Sequence, residues 1–307
     1  MPAEHPVKQK TLKKTYYFEG RGLHTGTYSH IAVHPAPEGH GIRFRRTDLA
    51  GRPEIEALAP NVSNTARSTT ISQDDAVVVT IEHILSAFTG LGVDNALVDI
   101  NNVEVPILDG SAKPYVDAIV PDGLRIQKED RRCLTVSKTV EIRDERRGSW
   151  IRIEPAAEPS MDVTVDFNSR IVGVQKVHWD LRTDYASQFA PCRTFVFFHE
   201  IEYLYRNNLI KGGDMDNAIV IVERPVGREQ LDSISRLFGV QDLSITEAGY
   251  LSNLSLRFPD ECGRHKLLDL LGDMRLIGGF ASARVTAFKP GHAINTRAAK
   301  ELFATIE

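Results

Sequence analysis

Between Gly26 and Glu38 (GTYSHIAVHPAPE) apolar and polar residues alternate, with Ile31 and Val33 set against His30 and His34, until Pro35-Ala36 ends the run. A period of two predicts a strand with one buried face. The pattern returns between Gly148 and Glu158 (GSWIRIEPAAE) and again stops at a Pro-Ala pair. Each run leads into a second strand-like segment, GIRFR (41–45) or VTVDF (163–167). Later, each half offers a helical pattern around a histidine, TIEHILSAF (80–88) and RHKLLDLL (264–271). Each helix ends at glycines, and a β-type run follows, Asn95–Ile100 or Ala283–Phe288. These runs are closed by the Pro/Gly segments PILDGSA (106–112) and KPGHA (289–293).

Four parallels in the same order predict an internal duplication. The expected fold is α+β: two similar domains, each a β-sheet layered with α-helices, with a site between them. The charged, apolar-poor segment Pro121–Arg132 reads as a linker. It sets domains at 1–127, carrying Glu82 and His83, and 128–307, carrying His265, Asp269 and His292. The second half is longer, mainly between Arg193 and Glu247, with an insert around 193–220 that holds the loop signal Lys211-Gly-Gly-Asp-Met-Asp.

Composition narrows the function. A hydrophobic fraction of 42% and a charged fraction of 25% suit a globular protein with its own core. The net charge of −4 gives no electrostatic footprint for nucleic acid. No apolar run reaches the roughly 18 residues of a membrane span, and the N-terminal stretch has no apolar core of a signal peptide. Three scattered cysteines form no C-x-x-C pair. A cytoplasmic location is expected, and any metal would be held by His and carboxylate.

Helical spacing puts His265, Asp269 and Asp273 on one face, at i, i+4 and i+8. An imidazole and a carboxylate one turn apart can reach one divalent ion, and a third ligand from elsewhere would leave a position open for water. Alone, the spacing describes an ordinary solvated pair. The other half supplies Glu82-His83 inside an otherwise apolar helix, where a polar pair must be satisfied or functional. His83 is the candidate third ligand and Glu82 the candidate base, an adjacency also found in zinc proteases, although H-E-x-x-H itself is absent. His292, directly after a glycine on a loop, suits proton delivery at neutral pH. The Thr194 hydroxyl is a further candidate. His24, His30, His34 and His40 read as surface.

Together, GRGLHTG (20–26), TIEHILSAFTGLGVDNALVDINNVEVPILDGSA (80–112), RTF (193–195), GGDMDNAIV (212–220), RHKLLDLLGD (264–273) and FKPGH (288–292) resemble the UDP-3-O-acyl-N-acetylglucosamine deacetylases. These are zinc amidohydrolases of lipid A biosynthesis, and the resemblance runs from about Thr11 to about Ala304. It implies zinc, or iron(II) in the same donors, on His83, His265 and Asp269. It implies Glu82 as general base, His292 as catalytic histidine and Asp273 as its orienting carboxylate. Thr194 and Lys266 match positions that stabilise the oxyanion or bind substrate, and Phe167 and Lys289 match positions near the nucleotide. The insert matches an apolar passage for an acyl chain, with Phe195, Phe197, Phe198, Ile201, Gly213 and Met215 as its lining.

The implied substrate is a nucleotide-sugar lipid precursor, and the implied state a monomer. Some relatives carry a fused acyl-carrier-protein dehydratase domain after the deacetylase. Two departures touch the edges of the site: Arg67-Ser68 replaces a more apolar pair, and Ser169-Arg170 replaces a frequent His-Pro.

Overall fold

The computed structural model describes residues 7–207 and 211–305. Its first large sheet has the spatial order Tyr16–Arg21, Tyr28–Pro35, Ala96–Ile100, Ile42–Arg46, Glu54–Glu56. Only the pair formed by Ala96–Ile100 and Ile42–Arg46 is parallel. The second sheet runs Val140–Asp144, Ser149–Pro155, Phe280–Phe288, Ser160–Asp166, Val174–Asp180, and again only its third and fourth strands are parallel. One order and one direction pattern occur twice, as the sequence parallels require. Cys133–Thr135 adds a short parallel strand beside Phe280–Phe288.

Parallel neighbours cannot be joined by a hairpin, so each parallel pair needs a crossover. Helix Glu82–Leu91 lies within one crossover and helix Glu261–Met274 within the other. The two helices pack against each other. Both are buried along most of their length, polar side chains included. One continuous apolar cluster runs from Ile31 through Ile84, Leu85 and Phe88 to Leu267, Leu271 and Val285. The two halves therefore share a core, and the helix pair places the first-half and second-half histidines side by side.

Two expectations change. Most of the expected linker is strand Leu124–Asp130, paired antiparallel with Lys8–Leu12, and the 127/128 division falls inside it. Its pairing comes from main-chain bonds on a largely exposed ribbon, so no hydrophobic alternation announces it. His292 is not on a loop but opens helix His292–Thr305. The first-half counterpart of that element is helix Lys113–Ile119, which follows the other Pro/Gly segment.

In the insert, Phe195–Phe197 pairs in parallel with Ile219–Ile221, and helices Phe198–Arg206 and Arg228–Phe238 flank them. This unit has its own apolar cluster, including Ile201, Met215, Val220 and Ile234. Among the described residues no helix is long and apolar enough to cross a membrane.

Candidate active site

His83, on the first buried helix, and His265 and Asp269, on the second, each offer one donor atom, all within 4.8 Å of one another. Asp269 Oδ1 lies 3.4 Å from His265 Nε2 and 3.7 Å from His83 Nε2. His265 Nδ1 sits 3.1 Å from the Cys192 carbonyl, a contact that requires an N–H, so its Nε2 carries the lone pair. Burial lowers both histidines, His83 to about 3, which keeps the imidazoles neutral as metal ligation requires. Burial alone would raise Asp269, but the basic groups around it, the Lys266 ammonium among them, outweigh it and hold the carboxyl far below the usual range. Its Oδ2 accepts from Lys266 Nζ at 2.8 Å, while its buried Oδ1 has no hydrogen-bond partner among the described residues. A bare carboxylate oxygen thus faces the lone pair of His265 Nε2 and, at 3.7 Å, the ring nitrogen Nε2 of His83. That set fits a divalent cation with nitrogen and oxygen ligands.

Beside this trio stands a second group. Glu82 Oε2 accepts from the Thr69 N–H at 3.0 Å, and Oε1 lies 3.7 Å from His292 Nε2. Burial pushes Glu82 up to about 7. His292 Nδ1 donates to Asp273 Oδ2 at 3.0 Å, and Asp273 is itself held by the Thr69 hydroxyl (2.5 Å) and Asn295 Nδ2 (2.9 Å). Burial works against the imidazolium, but Asp273 and Glu82 outweigh it and raise His292 to about 9. A base titrating near neutrality thus faces an acid that stays protonated above it. Both residues follow strained backbone: Thr80 has φ +62° and Lys289 φ +51°, values that non-glycine residues adopt at a cost.

Glu104 holds one of these lead-ins. Fully buried, its carboxylate accepts from the Thr80 hydroxyl (2.8 Å), the N–H of His24 (3.0 Å), and both the N–H (2.7 Å) and the hydroxyl of Thr25 (2.6 Å). The same side chain therefore braces the entry to the Glu82 helix and the Leu23–Thr25 loop.

That loop walls a cavity of about 220 Å³, whose lining includes His24, Arg67, Glu82, His83, Asp269 and His292. Of the other predicted residues, Thr194, Lys266, Phe195, Ile201, Gly213 and Met215 also line it. Phe197 and Phe198 do not. Phe197 packs near Phe167, with ring centres 6.0 Å apart, and Phe198 belongs to the insert's own apolar cluster. Phe167 also meets Phe195 edge-on at 5.3 Å, and Lys289 pairs with Asp166 at 3.2 Å.

His24, expected at the surface, lines the cavity because Glu104 folds its loop inward. Thr69, Asn295 and Glu104 carry no local signal, since each acts through a partner distant in sequence. Arg193 of RTF is buried against Glu261 (2.9 Å), which positions Thr194 without exposing the guanidinium.

The profile of the family described as UDP-3-O-acyl N-acetylglycosamine deacetylase matches residues 9–233 and 241–304. Among relatives, the "Bifunctional enzyme LpxC/FabZ" of Porphyromonas gingivalis is 42% identical over 293 residues, covering 95% of this chain and 63% of the relative. The protein of the same name from Bacteroides thetaiotaomicron is 41% identical, covering 96% of this chain and 64% of the relative. The chain therefore spans just under two thirds of these relatives' length. A "UDP-3-O-acyl-N-acetylglucosamine deacetylase" of Thioalkalivibrio sulfidiphilus is 36% identical over 301 residues, covering 97% of this chain and 90% of the relative. With the profile matched along nearly all of its length, the chain belongs to the UDP-3-O-acyl N-acetylglycosamine deacetylase family.

Proposed function

We propose that this protein removes the N-acetyl group of a UDP-3-O-[(3R)-3-hydroxyacyl]-N-acetylglucosamine, giving the free amine and acetate, the committed step of lipid A synthesis. The observation that carries the reading is the bare Asp269 Oδ1 beside two neutral histidines, with Glu82 and His292 facing the same cavity. His83, His265 and Asp269 would hold Zn2+, with Fe2+ suited to the same donors. When bound there, the ion supplies Lewis-acid polarisation of the amide carbonyl and activation of water.

Glu82, held near neutrality by burial, takes a proton from the attacking water, and the Thr69 N–H keeps its other oxygen fixed. His292, held protonated by Asp273, places positive charge where the oxyanion develops and passes a proton to the departing amine. Thr194 and Lys266 assist at the oxyanion or the nearby sugar. Water is thus divided between the two products, hydroxyl to acetate and proton to amine.

Phe195, Ile201, Gly213 and Met215 would receive the acyl chain, with Phe197 and Phe198 packed behind them, while Phe167 and Lys289 would meet the nucleotide. In this reading the protein acts in the cytoplasm as a monomer, as the deacetylase part of an architecture that bifunctional relatives extend with an acyl-carrier-protein dehydratase.

Acetate release from the UDP-linked substrate, followed by mass spectrometry with metal-stripped and zinc-restored protein, tests the proposal. Turnover that returns with zinc supports it. Folded, zinc-binding protein that leaves this substrate intact overturns the lipid A assignment. Equal turnover on analogues without the 3-O-acyl chain would favour another acylated nucleotide sugar.

A further inference from the structure

The chain that leads into Thr194 lies across the start of helix Glu261–Met274 and is held there almost residue by residue. Arg264 Nη1 donates to the Gln188 carbonyl at 3.1 Å. Arg257, just before the helix, donates through Nη1 to the Pro191 carbonyl at 2.7 Å. His265 Nδ1 donates to the Cys192 carbonyl at 3.1 Å. Glu261 grips the next residue. Its Oε1 accepts from the Arg193 main-chain N–H (3.0 Å) and from Arg193 Nε (2.9 Å). Its Oε2 accepts from Arg193 Nη2 (3.1 Å) and from the Arg257 main-chain N–H (2.6 Å). Beyond this grip the Thr194 N–H donates to the Gly110 carbonyl at 2.8 Å, and Thr194 lines the cavity.

Glu261, His265 and Asp269 stand at i, i+4 and i+8, on one buried face of one helix. The Glu261 grip therefore falls on the residue directly after the one whose carbonyl sets the His265 tautomer. Glu261 is 1% exposed and Arg193 3%, so the ion pair is closed to water. Such a pair adds little stability over two apolar side chains of similar volume, because desolvating both charges offsets their attraction. What an apolar pair could not do is accept from main-chain N–H groups. Each Glu261 oxygen does so once, which fixes Arg193 relative to the helix that carries His265.

We propose that Glu261 is a positioning residue of the active site. Through Arg193 it holds the Cys192 carbonyl against His265 Nδ1, which keeps the lone pair on Nε2, 3.4 Å from Asp269 Oδ1. The same grip sets where Thr194 enters the cavity. The consequence for metal affinity rests on the ligand set proposed above, whereas the consequence for the imidazole does not.

Two variants of the full chain test the role. Glu261→Gln keeps the size but accepts through one oxygen instead of two. Glu261→Leu combined with Arg193→Met replaces the ion pair with apolar side chains and leaves no lone buried charge, which favours folding. The first readout is the nitrogen-15 spectrum of the imidazoles in metal-free protein, with the His265 signals identified by their loss in His265→Asn. Wild-type His265 should carry its proton on Nδ1 alone, and either folded variant should show a mixture of tautomers. The second readout is zinc affinity by chelator competition. It should fall about 10–100-fold in the double variant, the usual cost of losing support behind a metal ligand. A merely structural ion pair would lower stability and leave both readouts of the folded protein in place, and that result overturns the role. A wild-type chain that takes up no zinc would count against the ligand set instead, and the tautomer comparison would still decide the role of Glu261.

Discussion

Gly272 on one buried helix meets the main chain of Glu82 on the other so closely that a β-carbon at Gly272 would stand 2.0 Å from the Glu82 carbonyl oxygen. Glycine inside a helix costs about 1 kcal/mol relative to alanine, so its place here follows from packing. The close approach brings the candidate base and His83 of one helix level with His265 and Asp269 of the next.

Gly272→Ala should therefore push the helices apart. The expected loss is about 1–3 kcal/mol of stability, together with weakened metal affinity, because the ligands come from both helices. Denaturant unfolding and zinc titration check it. A variant with wild-type stability and affinity would show that the helices do not meet at this point.

Glu82→Gln preserves shape and, in the proposed mechanism, leaves metal content intact while lowering kcat by about 10²–10⁴. His83→Ala should do the reverse at the first step and lose metal affinity. Metal analysis beside steady-state kinetics separates the two roles, and unchanged zinc content in His83→Ala would remove it as a ligand.

The pH profile should be bell-shaped, with Glu82 required deprotonated and His292 protonated. In the metal-free protein these groups titrate at about 7 and about 9. A divalent ion adds positive charge and lowers both, so the acid limb of kcat/KM should fall below 7 and the alkaline limb below 9. Asp273→Asn removes the anion that raises His292, and should shift the alkaline limb down by about 1–2 pH units. A limb that stays in place would mean that another group titrates there.

Glu104→Gln replaces one accepting oxygen with an amide that faces donors. At about 1.5–3 kcal/mol for a hydrogen bond to a charged group, stability should fall measurably. Because Glu104 braces both Thr80 and the Leu23–Thr25 wall, kcat and KM should both worsen. Thermal melting and kinetics at fixed zinc check this; a stability loss with wild-type kinetics would leave Glu104 a purely structural role.

Much of the fold was legible because its signals are local. Ile31/Val33 and Ile151/Ile153 alternate as strands must when one face is buried, and both sequences repeat the same order of elements. His265 and Asp269 share a helix face by spacing alone. The strand Leu124–Asp130 escaped because exposed main-chain pairing leaves no side-chain pattern. His24 escaped because the carboxylate that turns its loop inward, Glu104, lies in a different segment.

By itself the sequence determined the duplicated α+β plan, the family resemblance and the residue types able to hold a metal, since periodicity and motif order reside in neighbouring positions. Only the tertiary structure decided that one Asp269 oxygen lacks a donor among the described residues, and that Thr69 and Asn295 brace the Glu82–His292–Asp273 group. These properties belong to atoms far apart in the chain. Close packing brings them together, and removal of water then makes each unpaired charge count.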